Sequence, residues 1–232
     1  MSTILECRGL VKRYGGLVAL DGVDLSLEGG RIVGLLGPNG SGKTTLLKLA
    51  NDLITPTMGA ILIDGMFPGP ETKSIVSYLP DAQYLPDWMD VRTLVSFFED
   101  FYMDFSRPKA EEMLQRLGIA PFMPLKTLSK GNREKVQLIL AMSRSAEVYL
   151  LDEPIGGVDP AARDYILETI IRNYSEDALV VISTHLIADV ERILDEAVFL
   201  RAGRIVSHRT VDDIRAAEGK SVDEYFREVF RC

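Results

Sequence analysis

The chain has 232 residues, of which 47% are hydrophobic and 26% are charged, and its formal net charge is -8. This length suits one α/β domain with a small appendage and is sufficient for a buried hydrophobic core. The acidic balance argues against a general nucleic-acid-binding protein, because that function usually needs a basic face.

The first predicted elements are short strands, separated by two Gly-Gly pairs within the first 30 residues. Arg31–Leu36 is a mostly apolar strand that runs into a glycine-rich turn. Apolar residues at helical spacing predict a helix from Lys43 to about Leu53, and a strand follows at Ile61–Asp64.

The middle of the chain differs from the first 87 residues in composition and in predicted secondary structure. From about Trp88 to Leu128 it is rich in aromatic residues and predicted to be helical, with breaks near Ser106-Arg107-Pro108 and at Gly118. We interpret it as a helical subdomain, residues 88–145, inserted into an α/β core made of residues 1–87 and 146–232.

Buried strands are predicted again at Val148–Leu151 and Ala178–Ser183, with a helix between them. Continuous apolar runs of this length are typical of a parallel sheet covered on both faces. A hairpin around Arg201–Ile205 and two short helices follow, and the second helix begins with Ser221 and Glu224 in capping-box spacing.

Cysteine and hydropathy patterns suggest a cellular setting. Cys7 and Cys232 lie near opposite ends and show neither a disulfide framework nor metal-ligand spacing, so we expect a reducing cytosol. No apolar run approaches the roughly 18 residues that span a bilayer, and the first residues lack the apolar core of a secretory signal. If the protein works on a membrane, it is expected to dock there through a partner.

One motif predicts nucleotide binding. Residues 37–44, Gly-Pro-Asn-Gly-Ser-Gly-Lys-Thr, match G-x-x-x-x-G-K-[ST] between a predicted strand and a predicted helix. Glycines let backbone N–H groups approach phosphate oxygens, and the helix start adds its positive dipole end. The predicted nucleotide-binding residues of this phosphate-binding loop are Gly37, Asn39, Gly40, Ser41, Gly42, Lys43, Thr44 and Thr45. The motif predicts a P-loop nucleotide-hydrolase core, which kinases, GTPases and motor ATPases share.

A pair of acids follows the strand at 148–151. Asp152 is placed to hold Mg²⁺ through its water shell, together with the Thr44 hydroxyl. Glu153 is the better candidate for polarising the attacking water. The strand at 178–183 delivers Thr184 and His185 to the same edge, so His185 is a candidate γ-phosphate contact, whereas His208 is expected to be a surface residue.

The segment Leu128-Ser129-Lys130-Gly131-Asn132 resembles the LSGGQ signature of ATP-binding cassette (ABC) proteins, and it precedes the Asp-Glu pair at that family's spacing. Ser129 and Gly131 match the signature, whereas Lys130 and Asn132 depart from its commonest form. The resemblance extends over almost the whole chain. It places Tyr14 as an adenine-stacking aromatic, Gly156-Gly157-Val158-Asp159 as the D-loop at a dimer interface, and His185 as the switch histidine.

The resemblance implies an ATPase that uses ATP and Mg²⁺. Two such domains, identical or related, pack head to tail, and the signature residues Ser129 and Gly131 of each complete the other's site. The further implied partner is a separate transmembrane permease subunit, which places the chain at the inner face of the cell membrane. Details such as Leu-Ser-Lys-Gly resemble ATPases of small bacterial exporters.

One position departs from the family pattern. After Tyr78-Leu79-Pro80 the family usually has a glutamine that senses Mg²⁺, but here Asp81 occupies that place and Gln83 follows two residues later. Either side chain is a candidate metal ligand, and the alternative is that Asp81 only turns the chain. We hypothesise that one of them couples the site to the partner.

Two functional alternatives remain open at this stage. A non-transport ABC ATPase that remodels protein or nucleic-acid complexes is one, although the chain lacks the long coiled coil or second cassette of such members. A small-molecule kinase is the other, and it conflicts with the signature and the acid pair. The family contacts its permease through the helical subdomain, but most of the subdomain's aromatics are expected to be core. They are Trp88, Phe97, Phe98, Phe101, Tyr102 and Phe105.

Overall fold

The computed structural model describes residues 2–156 and 160–230, with the side chains of residues 160–162 also left out. The strands are β1 (Thr3–Tyr14), β2 (Leu17–Glu28), β3 (Arg31–Leu36), β4 (Met58–Ile63), β5 (Val76–Leu79), β6 (Val148–Asp152), β7 (Leu179–Thr184), β8 (Glu196–Arg201) and β9 (Arg204–Thr210). The α-helices are α1 (Lys43–Ala50), α2 (Pro70–Ile75), α3 (Val91–Phe101), α4 (Arg107–Arg116), α5 (Lys130–Met142), α6 (Pro160–Asn173), α7 (Ile187–Val190), α8 (Val211–Glu218) and α9 (Val222–Val229).

The smaller sheet is antiparallel and has the order β2-β1-β4. The predicted strands of the first 30 residues are confirmed in position, but their predicted shortness is wrong, because β1 and β2 each have 12 residues. Register shifts along the β1–β2 pair interrupt the ladder, and Gly9 and Gly22 have φ of 52° and 69°. Such irregularities bend a strand without ending it. The two Gly-Gly pairs that predicted breaks lie between β1 and β2 and between β2 and β3, so both breaks are confirmed.

The larger sheet has the order β5-β6-β7-β3-β8-β9 and is parallel except for β9. The predicted mainly parallel sheet is therefore confirmed. Both faces of its central strands are covered, since Ile32 and Leu36 of β3 lie in one hydrophobic cluster while Val33 and Leu35 lie in the other. Burial on both faces explains why these strands are continuous apolar runs in the sequence.

Helices α3, α4 and α5 surround a hydrophobic cluster of their own, built from residues 91–140. The breaks expected at Ser106-Arg107-Pro108 and Gly118 coincide with the start of α4 and the turn after it. Strand β5 was not predicted, and α5 was predicted only as part of the helical subdomain, residues 88–145, without bounds of its own. β5 has only four residues, and α5 carries polar residues through its first two turns, so neither has a strong periodic signal.

The prediction that most aromatics of this region are core is wrong for three of the six. Phe105 is buried and Phe98 and Tyr102 are partly buried, but Trp88, Phe97 and Phe101 expose 76%, 42% and 68% of their surface. The exposed rings of Phe97 and Phe101 lie one helical turn apart on α3, with centroids separated by 4.4 Å. The outer side of α3 is therefore aromatic.

The C-terminal predictions are confirmed. β8 and β9 form the antiparallel hairpin, and Ser221 and Glu224 form a reciprocal capping box at the start of α9. Cys7 is buried and unpaired, whereas Cys232 lies outside the described residues. No helix within residues 2–156 and 160–230 is long and apolar enough to cross a membrane.

Candidate functional site

Three neighbouring strands of the larger sheet end at one edge and bring the predicted site residues together. In the parallel register, Leu36 of β3 lies opposite Thr184 of β7, and Asp152 of β6 lies opposite Ser183. The loop after β3, the acids after β6 and His185 after β7 therefore meet at this edge. Crevices outside the carboxyl ends of parallel strands are where open α/β sheets bind ligands.

The phosphate-binding loop is held too tightly for side chains at two of its glycines. A Cβ atom on Gly37 would lie 2.3 Å from the carbonyl oxygen of Leu200, and one on Gly42 would lie 2.5 Å from that of Ala19. Gly42 also has φ of 111°, in the region that favours glycine, and it immediately precedes α1. These glycines let the backbone follow a path that directs amide groups and the start of α1 toward the crevice.

Lys43 lies at the base of the crevice with only 5% of its surface exposed. Its Nζ donates to the carbonyl oxygens of Gly37 and Pro38, at 2.8 and 3.3 Å, and lies 3.7 Å from Glu153 Oε1. Burial lowers the pKa of the ammonium group, and the charges of Glu153 and Asp152 oppose that shift. The cation is thus presented to the crevice with little water around it.

Asp152 is buried, and its two carboxylate oxygens differ in their surroundings. Oδ1 accepts hydrogen bonds from Thr44 Oγ1, at 3.1 Å, and from Ser183 Oγ. Oδ2 is buried and has no hydrogen-bond partner among the described residues. Burial raises the pKa of Asp152, the two hydroxyl bonds lower it, and the charges of Asp81 and Glu153 raise it. A buried carboxylate oxygen without a partner is suited to a hard cation or its water shell.

Glu153 turns back toward the same crevice. Its φ of 49° is unusual for a residue with a side chain, and such strain commonly occurs at functional sites. The carboxylate accepts from Thr184 Oγ1 at 3.1 Å, and His185 Nδ1 lies 3.1 Å from both of its oxygens. Thr184 Oγ1 in turn accepts from the amide of Leu186, which fixes the strand end. Glu153 is therefore oriented by groups from β7 and by Lys43.

The phosphate-binding loop borders a cavity of about 270 Å³ that combines polar and apolar walls. Asn39, Gly40, Ser41, Thr44 and Thr45 line it with Gly42 and Lys43, as do Tyr14 at its rim, Asp81 and Glu153. Gln83 is not among its lining residues. The Tyr14 ring is 45% exposed, and Lys12 Nζ lies 5.0 Å from its centroid.

The remaining predicted residues lie elsewhere. Ser129 caps the start of α5, where its Oγ accepts from the amide of Asn132 at 3.3 Å, and Gly131 lies in the first turn. Neither lines the cavity beside the phosphate-binding loop. Asp159, with Gly157 and Val158 of the predicted D-loop, lies outside the described residues. His208 is exposed and pairs with Glu196 at 2.7 Å, away from the crevice.

Sequence reasoning missed Ser183 as a site residue. Its hydroxyl is completely buried and donates to Asp152, so it helps to orient the carboxylate. A serine near the end of an otherwise apolar strand was the available signal, because Ser183 follows four buried apolar residues.

In the described part of the chain, no group of three or more His, Cys, Asp and Glu side chains is close enough to form a metal cage. The Thr44 hydroxyl and the unpartnered Asp152 oxygen fit a cation that keeps several waters and takes its other ligands from phosphates, as Mg²⁺ does.

Comparison with known proteins is consistent with this geometry. The ABC transporter family model matches residues 20–156. The ABC transporter ATP-binding protein YtrB of Bacillus subtilis is 31% identical over 215 residues, covering 91% of this chain and 74% of the relative. The Nod factor export ATP-binding protein I of Cupriavidus metallidurans is 31% identical over 225 residues, covering 91% of this chain and 74% of the relative.

A solved ATP-binding subunit of an ABC transporter superimposes with a TM-score of 0.87 at 31% identity, covering 99% of this chain and all of the other. A nucleotide-free ATP-binding cassette, at 21% identity and a TM-score of 0.79, supports the fold alone. The family match, the similarity over nearly the full chain and the arrangement of the crevice agree. The chain belongs to the ATP-binding proteins of ABC transporters, a family that binds and hydrolyses ATP.

Proposed function

We propose that the chain powers an exporter by ATP-driven, head-to-tail dimerisation, either with itself or with a related ATPase subunit. Each dimer holds two ATP molecules, and a separate transmembrane permease converts closing and reopening into transport. In this proposal the protein is cytoplasmic and peripheral, held at the inner face of the cell membrane by the permease. The exporter assignment is supported by relatives named for Nod factor export and daunorubicin resistance.

The observation that supports dimerisation most directly is the separation of the phosphate-binding loop from the signature segment, residues 128–132. The cavity beside the phosphate-binding loop has no wall from the signature segment, although Ser129 and Gly131 lie at an exposed helix start that is suited to a phosphate. A single chain leaves one side of the γ-phosphate open to water. A second chain packed head to tail supplies the missing donors and encloses the group.

The chain's own residues have distinct roles in this mechanism. Lys43 exchanges its contacts with loop carbonyls for the β- and γ-phosphates. Thr44 and Asp152 would hold Mg²⁺, which when bound supplies charge neutralisation at the phosphates. Glu153 orients and deprotonates the attacking water, and His185 positions Glu153 and contacts the γ-phosphate. Tyr14 stacks on the adenine ring, and Asp159 contributes to the dimer interface.

The permease is proposed to dock in a groove of about 440 Å³ between the core and the helical subdomain. Tyr84, Phe98 and Tyr102 line this groove, and the exposed rings of Phe97 and Phe101 extend the aromatic surface along α3. An exposed aromatic surface of this kind is typical of a protein interface. A cytoplasmic segment of the permease with an apolar face fits it.

A complementation assay tests the split site. Lys43→Ala removes the phosphate contact of one half-site and Ser129→Ala removes the signature donor of the other, so each variant alone is expected to lose ATP hydrolysis. In a head-to-tail heterodimer of the two, one site contains both substitutions and the other contains neither. An equimolar mixture is therefore expected to recover roughly a quarter of wild-type activity, because about half of the dimers are mixed and each has one intact site of two.

One mixing control defines the assay. Lys43→Ala mixed with Glu153→Gln should stay inactive, because both substitutions affect the half-site that carries the phosphate-binding loop. Recovery in that control, or no recovery in the Lys43→Ala and Ser129→Ala mixture, would contradict the split site.

A further inference from the structure

Asp81 is placed in the ATP site by the sheet itself. Leu79 of β5 lies opposite Leu151 of β6, so the residues that follow the two strands emerge at the same edge. Asp81 lines the cavity beside the phosphate-binding loop, and it also lines a small adjoining void together with Asp152 and Glu153. A carboxylate therefore lies where the resemblance predicts a neutral glutamine.

The Asp81 side chain makes no hydrogen bond or ion pair with any other described residue of the chain, and it is exposed to the cavity. An aspartate that only shapes a turn usually accepts a hydrogen bond from a nearby backbone amide. Asp81 makes no such bond, so its charge is left available to whatever enters the cavity.

The charge balance of the site is unfavourable for a bare triphosphate. Asp81, Glu134, Asp152 and Glu153 contribute four carboxylates, whereas Lys43 is the one lysine or arginine among the lining residues of the two adjoining cavities. Glu134 is paired with Lys130 at 3.7 Å, outside these linings. Asp81 also acts on Asp152, because its negative charge is one of the causes that raise the pKa of the Asp152 carboxyl. Metal-free ATP brings roughly four further negative charges, and a bound divalent cation cancels about two of them.

We propose that Asp81 is a specificity-determining residue that makes this site select the metal complex of ATP and reject the metal-free nucleotide. Its carboxylate repels bare phosphate oxygens and attracts the cation that accompanies them. A neutral amide at this position would still offer an oxygen to the cation but would not repel the free nucleotide. This inference rests on the proposed ATP site and adds a linkage between nucleotide and cation that ATP binding alone does not require.

The test measures equilibrium binding of a non-hydrolysable ATP analogue to the full chain by calorimetry, once with Mg²⁺ and once with EDTA. The quantity compared is the ratio of the two dissociation constants, Kd in EDTA over Kd in Mg²⁺. Asp81→Asn is expected to lower this ratio by about tenfold or more, mainly because binding in EDTA becomes tighter. Asp81→Glu keeps the charge and is expected to keep a ratio near that of the wild type.

Asp87→Asn is the matched control, because Asp87 is an exposed acid on the same loop that pairs with Arg133 rather than lining the cavity. It should leave the ratio unchanged, and circular dichroism verifies that each variant is folded. An unchanged ratio in Asp81→Asn, or an equal fall in Asp87→Asn, overturns the inference while ATP binding itself stands. A wild-type chain that binds the analogue in neither buffer contradicts the ATP site and the inference together.

Discussion

Arg144 is expected to be one of the main links between the helical subdomain and the α/β core. It follows α5, and only 3% of its surface is exposed. Its guanidinium donates to Asp104 at 3.0 Å, to the carbonyl oxygen of Ser74 at 2.6 Å and to that of Val76 at 2.5 Å. It also lies 4.0 Å from the centroid of the Tyr102 ring. Substitution of Arg144 therefore removes contacts on both sides of the groove.

The size of the effect follows from these contacts. Arg144→Met keeps much of the stem volume but leaves Asp104 and the carbonyl groups of Lys73, Ser74 and Val76 without their cation. Removing one partner of a buried, hydrogen-bonded ion pair typically costs about 3–5 kcal/mol. Because Asp104 is partly exposed and can be rehydrated, we expect a loss of ~3 kcal/mol in the free energy of unfolding, near the lower limit of that range.

Urea unfolding monitored by circular dichroism measures this loss. Arg116→Met is the matched control, since Arg116 forms an exposed pair with Glu112 on α4 and its removal should cost ~0.5 kcal/mol or less. A difference of less than ~1 kcal/mol between Arg144→Met and the wild type would refute the view that this guanidinium joins the two parts.

The further expected outcomes concern ATP hydrolysis, the stability of two glycine variants and the reactivity of a buried thiol. Lys43→Ala should lower the rate of ATP hydrolysis by about 100-fold or more while the chain stays folded, as measured by phosphate release. Gly42→Ala should destabilise the fold by ~1–3 kcal/mol in urea because of its φ of 111° and the contact with Ala19. Gly131→Ala, whose Cβ meets nothing within 4 Å, should leave stability unchanged and still reduce hydrolysis; equal stability losses in the two variants would contradict this contrast. Burial raises the pKa of the Cys7 thiol to about 12, so in a Cys232→Ser background Cys7 should react with a thiol reagent only as fast as the chain unfolds. The pKa of Cys7 is higher in the folded chain than in the unfolded chain, so the stability that the neutral thiol contributes should be lost as the pH rises from about 8.5 toward about 12. Rapid labelling of the folded chain at pH 8 would contradict the burial of Cys7.

The sequence predicted those parts of the fold that have a strong local signal. The strand at Arg31–Leu36 is a continuous apolar run, and the capping box at Ser221 places a polar pair at a fixed spacing, so both were located correctly. β5 escaped prediction because four residues carry too little periodicity. The exposure of Trp88 depends on which surfaces the subdomain leaves uncovered, and helical spacing of aromatics does not encode that.

In the candidate site, too, the features with a local sequence signal were predicted and those that depend on packing were not. The spacing of residues 37–44 and the acids after β6 were sufficient to predict the phosphate-binding loop and its carboxylates, because the chemistry requires those residue types. The contact of Ser183 with Asp152 depends on the register of parallel strands that are distant in sequence. Such pairings are set by tertiary packing, and a single sequence does not reveal them.

The most direct test of ATP-driven dimerisation is the mass of the Glu153→Gln variant in solution, measured by light scattering after size-exclusion chromatography. This substitution keeps the ATP site nearly isosteric but removes the carboxylate that activates water, so bound ATP should persist. Head-to-tail dimerisation predicts a single-chain mass without nucleotide and twice that mass with ATP and Mg²⁺. Adding Lys43→Ala to the variant should abolish the shift. A Glu153→Gln chain that binds ATP at saturation and still has the single-chain mass would contradict head-to-tail dimerisation of the chain with itself.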